Sequence, residues 1–251
     1  MKTGTQYIEI FHLLFLFYLE KKLDKNLYAL KGGCNLRFFF KSIRYSEGID
    51  LDVQTIQLNT LQTKIDKILE NDGFRKNLRN HGIQLNQISK PKQSATTQRW
   101  KIGLKVDGYV LPLPTKIEFS RRKMDNNTIF ESIDSELIQN YRLYPILVNH
   151  YVLQDAFEQK VQALMYRTET QARDIFDLKL LINQGAKKEY LSAKSTDHIV
   201  EAIDNALAVG FPEFKAQVVS YLMPEYQGFY NSSEVWNKIQ AEVIHCLEGM
   251  D

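Results

Sequence analysis

Two aspartates one residue apart, Asp50 and Asp52, stand in the β-forming run "GIDLDV". Alternation along a strand sends both carboxylates to one side and Leu51 and Val53 to the other. Carboxylates paired in this way can hold one or two Mg2+ ions, which bridge substrate phosphates and neutralise developing charge. Upstream, the apolar "NLYAL" runs into Gly32-Gly33. A glycine pair at a strand end lets backbone N–H groups approach a phosphate with no Cβ in the way. By spacing alone, the same residues equally describe a surface turn and an edge strand with a solvated acidic face.

A third carboxylate lies in "LPTKIEFSRR", where Lys116 and Glu118 share a strand face opposite Ile117 and Phe119. Glu118 could complete a metal site or take the proton of an attacking hydroxyl; an ordinary amphipathic strand has the same pattern. Arg121, Arg122 and Lys123 follow, able to steer an anionic polymer or to coat a solvated loop. In "ARDIFDLKLL", Asp174 and Asp177 lie on one helix face beside Arg173, a spacing that by itself favours a buried ion pair or cap. The stretch "KPKQSATTQRWK" sets Lys90, Lys92, Arg99 and Lys101 around Trp100, a combination that RNA-binding surfaces use and solvated hairpins also show. The five histidines lack metal-ligand spacing, and Cys34 has no histidine near it in sequence, so these read as packing or surface residues.

Periodicity gives the elements that must position these residues. A helix is expected over 7–24, strands over 26–30 and "GIDLDVQTI", then a helix through "NTLQTKIDKILENDGF" with Asn59 or Thr60 as N-cap. "CNLRFFFKS" suits a helix or a strand. Period two governs "GIQLNQISK", "TTQRWKIGLKV" and "YVLPLPTKIEFS", with "KPKQSA" and "VDG" as turns. From about residue 153 nearly everything is helical, and Gly185, Gly210 and Gly249 fall where C-caps belong. The expected class is α+β: a mixed α/β domain over 1–150 and a helical bundle over 151–251.

Composition sets the outer limits. At 251 residues, 44% hydrophobic and 25% charged, the chain can bury a substantial core. A net charge of +2 leaves nucleic-acid affinity to local patches. Cys34 and Cys246 lie far apart, which argues against a disulfide framework or a zinc site and suits a reducing, cytoplasmic setting. The N-terminal "YIEIFHLLFLFYLEKKL" is interrupted by Glu9 and His12 and is too short to span a bilayer, so no membrane is expected.

Together these motifs resemble a known family. "LKGGCNLRFFFKSIRYSEGIDLDV" is similar to the signature of the AbiEii/AbiGii toxin family of nucleotidyltransferase-like proteins, in which LKGG-T-x-L-R precedes alternating aspartates. "KIEFS" resembles the family's second motif, and "QKVQALMYRTETQARDIFDLKLL" its helical Lys…Arg-Asp-x-x-Asp motifs, in order across roughly 8–184. The resemblance implies a small mixed sheet with flanking helices followed by a helical domain. It implies that Gly32 and Gly33 cradle an NTP, with Lys116, Arg173 and Asp174 also on the nucleotide. Asp50 and Asp52 would hold Mg2+ or Mn2+ and, with Glu118, Lys160 and Asp177, form the catalytic set. The implied reaction is attack of an RNA hydroxyl, foremost of tRNA, on the α-phosphate with release of pyrophosphate. A separate antitoxin protein and a role in phage defence belong to the same picture. Two positions depart from the pattern: Gly48 stands where the family often has Asp, and Cys34 where it often has Thr or Ser. The first departure leaves room for an alternative, a nucleotidyltransferase-fold protein that binds nucleotide or a partner without turnover.

Overall fold

The computed structural model describes residues 2–124 and 127–249. The chain divides into two compact units: unit 1, Met1–Phe39 with Tyr45–His150, and unit 2, Phe40–Arg44 with Tyr151–Asp251.

Unit 1 opens with helix α1 (Gly4–Glu20), which begins and ends earlier than its apolar run suggests. A capping box explains the start: the Thr3 hydroxyl accepts from the Gln6 amide at 3.3 Å, and the Gln6 side chain accepts from the Thr3 amide at 2.8 Å. Ile10, Phe11, Leu13, Phe15, Leu16 and Leu19 are fully buried. The two polar interruptions are buried as well, because each has partners. Glu9 accepts from Arg37 Nε at 2.7 Å and from the Tyr141 hydroxyl at 2.6 Å. His12 Nε2 meets Thr115 Oγ1 at 2.8 Å, and its Nδ1 lies 3.6 Å from Cys34 Sγ. Among the described residues, no helix is long and apolar enough to cross a membrane.

After α1 come β1 (Tyr28–Lys31), α2 (Gly32–Phe39), β2 (Gly48–Val53), α3 (Leu58–Glu70) and α4 (Asp72–Asn80). Next are β3 (Ile83–Gln93), β4 (Thr97–Val106), β5 (Leu113–Arg121), β6 (Thr128–Ser132), α5 (Ser135–Asn140) and β7 (Leu147–Tyr151). The strands form one mixed sheet in the order β3-β4-β5-β2-β1-β7-β6. β2 is central, antiparallel to β1 and parallel to β5. "CNLRFFFKS" resolves as the helix α2. The single helix expected across 59–74 is two helices, because Asn71 turns extended and its side chain caps α4 by accepting from the Phe74 amide at 2.9 Å. Neither Asn59 nor Thr60 caps α3; Gln57 holds that place without a side-chain bond.

Proline shapes two strands. Pro112 cannot donate to a ladder, and β5 begins only after it, leaving Val110 and Leu111 exposed. Pro91 is accommodated in a register shift between Ser89 and Lys92, so β3 continues through part of the expected turn to Gln93.

Unit 2 consists, among the described residues, of α6 (Leu153–Tyr166), α7 (Ala172–Asn183), α8 (Ala193–Asp197), α9 (Ile199–Leu207), α10 (Phe211–Gln217), α11 (Pro224–Tyr230) and α12 (Ser233–Glu248), with short 3-10 turns. Its core stacks Phe214 on Trp236 at 4.4 Å between centroids, and the indole donates to the Val209 carbonyl at 3.1 Å. The segment Phe40–Arg44 joins this unit through a bond from the Met223 amide to the Ile43 carbonyl at 2.9 Å. Gly249 caps α12 with φ 76° and Gly185 follows α7 with φ 94°, both left-handed. Gly210 differs from expectation. It is the N-cap of α10, in ordinary extended backbone, because Pro212 in the first turn favours a helix start.

Burial holds the His12 imidazole far below its usual range, to about 3, against a smaller opposing pull from Asp50. The unfolded chain therefore takes up a proton near pH 6.5 that the folded chain refuses. Stability from this group is complete above that pH and declines as pH falls toward 3. Urea titrations between pH 6 and 5 should show native stability falling by about 1.4 kcal/mol more per pH unit than that of His12→Asn.

Candidate active site

β1 ends at Lys31 and α2 begins at once, a reversal that Gly32 permits with φ 64°. A Cβ at Gly32 would also stand 3.5 Å from Asp50 Oδ2, so this bare backbone faces the first carboxylate. The strand register then builds a row of charge across four strands. Lys31 on β1 is the partner of Asp50 on β2, Asp50 of Glu118 on β5, and Glu118 of Arg99 on β4.

Every carboxylate of this row carries a cation. Asp50, with its side chain 30% exposed, receives Lys116 Nζ at 3.1 Å. Glu118 receives Arg99 Nε at 2.5 Å and has Lys116 Nζ at 3.6 Å. Asp52 is buried; Lys31 Nζ lies 2.5 Å from it and Arg122 Nε 3.1 Å. Lys31 also donates to Ser120 Oγ at 3.0 Å. Behind the row, Thr115 donates its hydroxyl proton to the Glu47 carbonyl at 2.8 Å, so His12 Nε2 must donate to Thr115. Cys34 is buried and donates to the Gly48 carbonyl at 3.4 Å. The histidine that the sequence did not place near Cys34 is supplied by α1 from 22 residues away.

Unit 2 holds a second acidic cluster. Asp177 on α7 has no exposure and accepts two bonds from Arg44 Nη2, at 2.9 and 2.8 Å, and one from Lys160 Nζ at 2.6 Å. Lys160 on α6 also donates to Asp174 Oδ1 at 2.9 Å. The other oxygen of Asp174 lies 3.2 Å from Arg167 Nε, close but without hydrogen-bond alignment. Arg173 is half-buried in the first turn of α7. Burial alone would raise the Asp177 pKa; Arg44 and Lys160 outweigh it and hold the carboxyl below its usual value. A groove of about 770 Å3 lies elsewhere in this unit, lined by Lys179, Lys187, Lys188 and Lys238 with Glu189 and Glu242.

The family model described as "Nucleotidyl transferase AbiEii toxin, Type IV TA system" matches residues 14–223. The chain belongs to this family. No curated protein matches it. Among solved structures, MenT4, a nucleotidyltransferase toxin from Mycobacterium tuberculosis, superposes with a TM-score of 0.66 at 13% identity, over 99% of this chain and 85% of that one. JHP933 from Helicobacter pylori does so with a TM-score of 0.62 at 16% identity, over 99% and 95%. At such identity the likeness establishes the fold of this AbiEii protein: a seven-stranded mixed sheet with many helices, as in nucleotidyltransferase toxins.

Within unit 1 the structure brings Gly32, Asp50, Asp52, Lys116 and Glu118 to one stretch of sheet, with Gly33 in the first turn of α2. Within unit 2 it gathers Lys160, Asp174 and Asp177. Arg99 and Arg122, which the sequence offers as polyanion contacts, instead pair with Glu118 and Asp52; Lys31 in unit 1 and Arg44 and Arg167 in unit 2 were missed from sequence. Lys31 alone left a signal, standing directly before the glycine pair. A divalent ion is drawn to carboxylates whose negative charge is not already balanced by a neighbouring cation. Asp50 and Asp52 fit such a pair poorly as they stand, since each already has an ammonium or guanidinium. Among the described residues, no group of three or more His, Cys, Asp or Glu comes together that could hold a metal ion.

Removing the Asp177 carboxylate would take from the buried Arg44 guanidinium the anion it grips and leave Lys160 with Asp174. Asp177→Ala should lower unfolding free energy by about 3–5 kcal/mol at pH 7 in denaturant titrations. Because the folded pKa is depressed, the native advantage over the variant should hold above pH 4 and shrink as pH falls below it.

Proposed function

We propose that this AbiEii protein transfers a nucleotide from an NTP to an RNA acceptor, tRNA foremost, and that a cognate antitoxin protein restrains it. The observation that carries the reading is the register that sets Asp50 and Glu118 side by side, next to the glycine turn at Gly32-Gly33. The turn offers α2 amides and no side chain, a surface suited to a triphosphate. In the reaction, the acceptor hydroxyl oxygen bonds to the α-phosphorus, the bond to the β-phosphate bridge breaks, and pyrophosphate leaves. A carboxylate beside the attacking hydroxyl accepts its proton, and Asp50, the more exposed of the two, suits that role. Mg2+ or Mn2+ enters this proposal as the counter-ion of the NTP rather than as a resident of Asp50 and Asp52.

For the unit 2 residues we propose a division of labour. Lys160 bridges Asp174 and Asp177 and fixes α6 against α7. Arg173, half-buried, is the member that suits a phosphate. The four lysines of the 770 Å3 groove support an RNA acceptor, since a polyanion gains affinity by releasing counter-ions from such a surface. A second reading, nucleotide binding without turnover, is favoured by one observation: the family's first aspartate is absent at Gly48.

Incubation with each labelled NTP, Mg2+ and total tRNA separates the two. Transfer from one of the four NTPs is expected, with Asp50→Asn lowering the rate by roughly 10²-fold or more. Binding of nucleotide with no transfer from any NTP would leave only the second reading. Lys187→Glu combined with Lys238→Glu should weaken tRNA binding and shift its log K against log [salt] slope by about 1.4, two phosphate contacts at roughly 0.7 each. An unchanged slope would remove the groove from the RNA path.

A further inference from the structure

Gly48 and the Lys116 side chain share one space. Gly48 lies one pleat before Asp50 on β2 and is the register partner of Lys116 on β5. A Cβ built on Gly48 would stand 2.4 Å from Lys116 Cγ and 2.9 Å from its Cε, closer than real Cβ atoms come. The lysine stem therefore rests on bare glycine backbone and carries its ammonium to 3.1 Å from Asp50 and 3.6 Å from Glu118. A carboxylate at position 48 and Lys116 in this pose exclude each other.

We propose that the Lys116 ammonium is the resident cation of the Asp50–Glu118 site, standing where a divalent ion would bind, and that Gly48 is the residue that makes room for it. Charge agrees with geometry. Lys116 and Arg99 already balance Asp50 and Glu118, and a divalent ion added to them would meet no surplus negative charge. With its side chain 38% exposed, Lys116 is also within reach of an incoming anion. Insofar as the proposed nucleotide reading holds, that anion is the triphosphate, to which lysine presents a compact point charge.

Titration of Mn2+ into the full chain without nucleotide, followed by electron paramagnetic resonance, tests this independently of turnover. The native protein should leave Mn2+ free, while Lys116→Met and Gly48→Ala, checked for folding by circular dichroism, should each bind one ion at least tenfold more tightly. The gain should vanish in Lys116→Met with Asp50→Asn. A stoichiometric Mn2+ site in the native protein that Asp50→Asn abolishes would overturn the proposal, and so would folded variants that both gain nothing. Because nucleotide is absent, either result leaves the label-transfer outcome to be decided by itself.

Discussion

Charge compensation on a central strand is the constraint from which the site of unit 1 follows. β2 runs in the middle of the sheet, and its two aspartates share one face. Asp52 is almost wholly buried, and an unpaired carboxylate there would be costly. The sheet answers by placing Lys31 on one neighbouring strand, with Arg122 just beyond the end of the other. Asp50 and Glu118, adjacent in register, would repel without Lys116 between them and Arg99 beside them. The acidic signature is thus inseparable from a basic one. That makes this site a balanced lattice rather than an open acidic pocket.

Unit 2 obeys the same rule with different parts. Asp174 and Asp177 are both fully buried, and the cations that match them come from two stretches of chain: Arg44 from 40–44, and Lys160 and Arg167 from α6 and its C-cap. Arg44 is the telling member, since it belongs to the short segment 40–44 that counts with unit 2 although it lies between α2 and β2 in sequence. A guanidinium gripping both oxygens of a carboxylate fixes orientation as well as charge, which suits a residue holding a returning segment in place.

Much of the architecture was legible because it rests on local rules. The period-two runs became β3, β4 and β5, and the apolar spacing of Leu61, Ile65, Ile68 and Leu69 became the buried face of α3. The misses have local causes too. Spacing makes Asn71 helix interior where its side chain makes it a cap, Gly210 a C-cap where Pro212 makes it an N-cap, and Pro112 a strand residue where it cannot donate. What no local rule reaches is the pairing of charges, which depends on register. Nothing in "TTQRWKIGLKV" says that Arg99 rather than Lys101 will stand opposite Glu118.

The sequence by itself determined the family, the order of most elements outside 121–152 and the residue types of the site, because signature motifs and periodicity are properties of neighbours along the chain. The tertiary structure alone decided what those residues meet. It turned Cys34 and His12 into neighbours, made Asp177 a buried anion held by Arg44 and Lys160, and laid Lys116 across Gly48. The physical reason is that Coulomb and packing energies depend on distance in space, and strand register sets those distances between residues that the chain keeps tens of positions apart.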